Sequence, residues 1–131
     1  MRIIVFAAGL LSMSLGLLGT ELSRGENNNP IKLTHTMKDG TIRVSIKNIS
    51  TRPISAYVVA VESGGQWNTH HDFFTGRDVF RPGKTIELVF AVQLTSSTPN
   101  VFVDYVRLAD NSTWGNQVTE DGREVAASFQ N

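Results

Sequence analysis

The stretch TIRVSIKNI, residues 41–49, alternates apolar Ile42, Val44 and Ile46 with polar Arg43, Ser45 and Lys47. Successive strand side chains point to opposite faces, so a period of two marks a half-buried strand with one wet face. The preceding IKLTHTM, residues 31–37, is also strand-like. Lys38-Asp39-Gly40 joins the two as a hairpin turn, because glycine accepts positive φ without steric cost. PISAYVVAV, residues 53–61, is apolar almost throughout, which predicts a central strand buried on both faces. Pro82-Gly83 then turns the chain into a strand where Ile86, Leu88 and Phe90 alternate with Thr85, Glu87 and Val89.

In NVFVDYVRL, residues 100–108, strict alternation predicts Val101, Val103 and Tyr105 on one side. Phe102, Asp104, Val106 and Leu108 then fall on the other. Asp110-Asn111-Ser112 turns into a last short strand around Thr113-Trp114-Gly115. Six strands, with a seventh expected near Arg77 to Arg81, recur at intervals of about ten residues with turn chemistry between them. The expectation is an all-β antiparallel sandwich over residues 31–117. No strand–helix alternation is present, which argues against a doubly wound α/β reading. Residues 62–76 read as a long loop, with Gly64, Gly65 and Gly76 in it. Residues 118–131 read as a polar C-terminal tail with room for one short helix after Asp121-Gly122.

Outside that core, the chain starts with Arg2 and a 17-residue uncharged, mostly apolar run from Ile3 to Gly19. A cationic start before an apolar run has the pattern of a secretory signal peptide. The run is short of the ~20 residues that span a bilayer. Residues 1–25 are therefore expected to be a signal peptide, or an uncleaved membrane anchor, and residues 26–30 a polar leader into the domain. The chain has no cysteine, which excludes disulfides and thiolate metal sites and leaves an ordinary apolar core to hold an exported domain. That combination favours a bacterial periplasm or exterior. Without Arg2, Arg24 and Glu21, the 12 basic and 12 acidic side chains become 10 and 11. They are scattered singly along the chain, so no basic stripe argues for a nucleic-acid partner.

The order of an alternating strand, the IKNIS strand end with Asn48, Ile49 and Ser50, a Gly-bearing loop and the Pro82-Gly83 turn before a further strand resembles immunoglobulin-like modules of exported bacterial proteins. It is similar in particular to FxLYD-type domains. The ending YVRLADNSTWG resembles a strand–turn–tryptophan hairpin of uncharacterised exported bacterial proteins. The likeness spans most of residues 31–116. It implies a sandwich of about seven strands and an accessory or binding role, and it transfers no catalytic residues.

NTHHDFFTG, residues 68–76, carries the densest chemistry. Imidazole and carboxylate suit zinc, copper or nickel, but a site needs three or four ligands. If the segment were a strand, His70 and Asp72 would share a face and His71 would point away. His35 is the only further histidine, so the candidate metal set is His70, Asp72 and His35. The candidate ligand-binding set is Trp67, His70, His71 and Phe73. Against both stands a solvated loop entering the core at Phe73-Phe74. Trp67, Phe73, Phe74 and Phe80 either form a platform or close one end of the core. Trp114 is expected to be structural. Asp104, Asp110 and Asn111 offer oxygens but match no 12-residue calcium loop. Glu120, Asp121 and Glu124 read as solvated acids in the tail. The triplets at Asn48 and Asn111 fit a glycosylation pattern that short sequences produce by chance.

No phosphate-binding glycine loop, nucleophile elbow or His-Glu-x-x-His is present. The expectation is a non-enzymatic module without cofactor, with a binding or structural role in the cell envelope. Its partner would be another envelope protein, met by the 62–76 segment or a sheet edge. Membrane contact would follow only from an uncleaved leader. The alternative is a periplasmic metal-binding protein using His70, Asp72 and His35.

Overall fold

A computed structural model describes residues 28–74, 79–93 and 98–130. The expected signal peptide or anchor lies outside them, as do Arg77 and Asp78. Among the described residues, seven strands and one helix follow in order: β1 Ile31–Lys38, β2 Thr41–Asn48, β3 Ile54–Ser63, β4 Gln66–Phe73, β5 Thr85–Ala91, β6 Asn100–Leu108, β7 Thr113–Trp114 and α1 Glu120–Ala127. Two antiparallel sheets form, ordered β1-β2-β5 and β4-β3-β6-β7. The chain crosses between them after β2, β4 and β5, in the manner of an immunoglobulin-like sandwich.

The decisive stretch behaves as its period requires. Ile42, Val44 and Ile46 are fully buried, while Arg43 and Lys47 are exposed. With Ile31, Leu88 and Phe90 they meet Ile54, Tyr57, Val59, Val61 and Val103 of the opposite sheet in one main core. β3 is buried on both faces because a second, smaller core covers its outside. There Ala56, Val58 and Tyr105 pack under Val125, Ala126 and Phe129 at the end of the chain. Residues 120–127 are thus an integral lid on the four-stranded sheet.

Asn48 ties the crossings together from a fully buried position. Its Nδ2 donates to the carbonyls of Arg52 (2.9 Å) and Phe80 (2.8 Å), and its Oδ1 accepts from the Ser50 N–H (2.9 Å) and hydroxyl (2.7 Å). Its backbone N–H donates to Lys84, and its carbonyl accepts from Gly83. All four hydrogen-bonding positions of the buried amide are filled, as burial demands.

Two expectations are corrected. Residues 66–73 are strand β4, paired along its length with β3, so residues 62–73 are a strand hairpin and not a loop, while Gly76 lies outside the described residues. The turn into it is Gly64-Gly65, with φ of 59° and 83°, the positive-φ pair of a tight two-residue hairpin. The seventh strand is therefore β4, whereas the expectation placed it at residues 77–81. Among the latter's described members, Phe80 makes only an isolated bridge to Ile54.

The second correction concerns β6. Val58 pairs with Tyr105 but Val59 pairs with Val103, so Asp104 is an extra residue in β6, a β-bulge. The bulge inverts the alternation. Val101, Val103, Val106 and Leu108 join the main core, while Tyr105 turns to the outer one.

Candidate functional site

β4 is an edge strand with two chemically different faces. Its inward face carries Asn68, His70 and Asp72, and its outward face Trp67, Thr69, His71 and Phe73. Such a strand is polar because only one of its edges is paired and both faces approach solvent.

On the inner face, Tyr57 of β3 lies directly opposite Asp72. The Tyr57 hydroxyl donates to Asp72 Oδ2 at 2.6 Å, and His70 Nε2 lies 3.1 Å from the same oxygen. Burial, then the hydrogen bond to Asp72 and the charge on it, hold the Tyr57 hydroxyl far above its ordinary range. An unfolded tyrosine ionises near pH ~10, so the folded protein retains a proton there that the unfolded chain gives up. This raised-pKa contribution is complete below the unfolded value and declines as pH rises from there towards the folded value. Urea unfolding at successive alkaline pH values is therefore expected to show a steeper loss of stability for the native protein than for Tyr57→Phe.

The sequence-derived metal set is not assembled. His70 and Asp72 do share a face, but they bond each other, and His35 sits on β1 of the other sheet. Among the described residues, no three His, Cys, Asp or Glu side chains converge to hold a metal ion. The oxygen donors near 104–111 are also engaged internally. Asp110 accepts from Ser112 and faces Arg52 at 3.0 Å, while Asn111 accepts from Arg107.

The outer face is different. Trp67, Thr69 and His71 form one wall of a groove of about 710 Å³, and Val118, Thr119, Glu120, Asp121 and Glu124 form the other. Trp67 is 52% exposed, held edge-on by Phe102 at 5.9 Å, and Val118 is 50% exposed. Two apolar side chains thus stay half in water beside three carboxyl groups. At one end, His71 Nδ1 meets Asp121 Oδ2 at 2.8 Å and ties the strand to the helix. Beyond it, His71 stands edge-on to Phe73, Phe73 touches Phe129, and the Arg107 guanidinium lies 4.3 Å over the Phe129 ring.

The far wall is held by Asp104, which is 1% exposed. Its Oδ1 accepts from the Val118 N–H (2.7 Å), and its Oδ2 from the Thr119 N–H (3.0 Å) and hydroxyl (2.5 Å). Thr119 is the N-cap of α1, and its oxygen accepts from the Gly122 N–H at 2.8 Å. A hydrogen-bonded relay from bulge to cap therefore sets where α1 begins. Glu120 and Asp121 lie in the first turn, where the helix dipole favours negative charge.

No family model, curated protein or solved structure matches the chain.

Of the residues singled out in sequence, Trp67 and His71 line the groove and Phe73 extends its outer face. His70 faces the opposite way. The four aromatics divide: Phe74 and Phe80 pack on the main core, whereas Trp67 and Phe73 stand outside. Trp114 packs against the main core as expected. Sequence reasoning missed the acidic wall, because Glu120, Asp121 and Glu124 read as a solvated tail. The signal available was Thr119 before two acids, the pattern of a capped helix start.

Proposed function

We propose that this chain is a non-catalytic binding module, exported to the bacterial envelope, whose capture surface is the groove between β4 and α1. The observation that carries this reading is the half-exposed Trp67 lining the same groove as Glu120 and Glu124. An indole face attracts a cation within about 6 Å of its centre. Carboxylates beside it give the charged head a partner while Trp67 and Val118 cover an aliphatic stem. The occupant best suited to both is a lysine or arginine side chain on an extended segment of a partner protein. A metal-binding role has less support, since His70 and Asp72 are bonded to each other and His35 is on the other sheet.

Titration with an arginine-rich oligopeptide is expected to change the tryptophan fluorescence saturably. Trp67→Ala should weaken binding about tenfold, or ~1.4 kcal/mol, while costing less than ~1 kcal/mol of stability because the ring is already half exposed. An affinity unchanged by Trp67→Ala and by Glu120→Gln/Glu124→Gln would dismiss the groove as the capture surface.

A further inference from the structure

The outer face of the three-stranded sheet is independent of the groove. On β1 and β2 the side chains alternating with the core residues are exposed Lys32, Lys38, Arg43 and Lys47. In the linear chain these charges are separated by neutral residues. Strand pairing brings them together: Lys32 lies directly opposite Lys47, and Arg43 stands between Thr36 and Val89. Acidic side chains at this sheet are Glu87 on β5 and Asp39 in the β1–β2 turn. Among the described residues, no ion pair joins any of the four basic groups to an acid.

Like charges directly opposite on a sheet destabilise it, so the Lys32–Lys47 pair costs the isolated domain something. A counter-charge outside the molecule would reverse that cost. The surface is an exposed platform of three strands, on the order of 10 Å by 25 Å from strand spacing and rise. It also presents Val89, 60% exposed, in register with Arg43. Basic side chains around an exposed apolar one suit the boundary of a bilayer carrying anionic headgroups.

The chain's own order adds a second argument. The uncharged apolar stretch ends at Gly19, and β1 begins at Ile31. The intervening chain reaches at most roughly 40 Å when extended. β1 is the edge strand of this same sheet. A membrane-inserted leader would therefore keep this edge strand within about 40 Å of the lipid, close enough for the basic face to reach it.

We infer that the basic outer face of the β1-β2-β5 sheet docks on an anionic lipid surface, leaving the opposite sheet and its groove free. Each Lys or Arg near such a surface raises partitioning about fivefold. The test is flotation of the full chain with phosphatidylcholine vesicles, with and without phosphatidylglycerol, at low and high salt. The expected result is stronger uptake by the phosphatidylglycerol vesicles, abolished by salt. Lys32→Ser/Lys47→Ser should reduce that preference about 25-fold with an unchanged or higher unfolding midpoint, since the lost charges are exposed and mutually repulsive. Comparing the two vesicle types separates this face from the apolar leader, which enters both. Equal uptake by both vesicle types overturns the inference. So does a preference that survives the double substitution, or binding of a DNA oligonucleotide by these residues without any vesicle preference.

Discussion

Asp104→Ala is expected to destabilise the fold by about 3–5 kcal/mol, a large share of the ~5–15 kcal/mol that holds a small domain. The side chain is buried and accepts from two backbone N–H groups and one hydroxyl. Truncation leaves the buried Thr119 N–H without a partner, at ~1–3 kcal/mol, and strips the part-buried Val118 N–H of its acceptor at a smaller cost. The Thr119 hydroxyl can rotate, but its tie to the bulge is lost, and with it the anchor of the α1 cap. Asp104→Asn should rescue only part of the loss. Both carboxylate oxygens accept in the native protein, and an amide would aim N–H groups at one of those donors. Guanidinium unfolding of the three proteins measures this, and near-native stability of Asp104→Asn would show that one acceptor suffices. Because Val118 and Thr119 line the groove, Asp104→Ala should also weaken the oligopeptide response where the variant remains folded.

The same residue shows what a period-two reading can and cannot reach. Alternation placed the core faces of β2 and β5 correctly, since each of those strands pairs without interruption. It failed on β6 beyond Val103, because a bulge inserts one residue and reverses every later side chain. Nothing in NVFVDYVRL announces the bulge except an acid amid apolar residues. β4 was missed for another reason. QWNTHHDF lacks an apolar face, because an edge strand need not have one, and the Gly64-Gly65 turn before it was the informative signal. The histidines followed strand geometry once the strand was there: His70 turned inward to Asp72 and His71 outward to Asp121. The basic face escaped notice because pairing partners are not visible in one strand. Lys32 and Lys47 are far apart in sequence and become neighbours only through the register of β1 on β2.

Gly115→Ala should cost upwards of about 3 kcal/mol, although it adds one methyl group to a position beside a short edge strand. Gly115 has φ of 115°, a conformation that costs a residue bearing a Cβ ~1–3 kcal/mol by itself. Its added Cβ would lie 2.8 Å from the Asp104 carbonyl carbon and from Tyr105 Cα, and closer still to the Asp104 carbonyl oxygen. These are backbone atoms of the bulge, paired on their other side with β3, so they cannot move aside as the end of a flexible side chain would. The chain must pass this close because Gln117 N–H donates to the Asp104 carbonyl at 3.1 Å and Val118 follows at once to the carboxylate. Gly65→Ala is the matched comparison. Its φ is 83°, but a Cβ there meets nothing within 4 Å, so only the conformational cost of ~1–2 kcal/mol applies. Thermal or guanidinium unfolding of both variants separates backbone strain from the collision. Equal losses would mean that the approach of Gly115 to the bulge is not what sets the path into α1. A markedly larger loss for Gly115→Ala would mean that the far wall of the groove depends on a backbone contact only glycine permits.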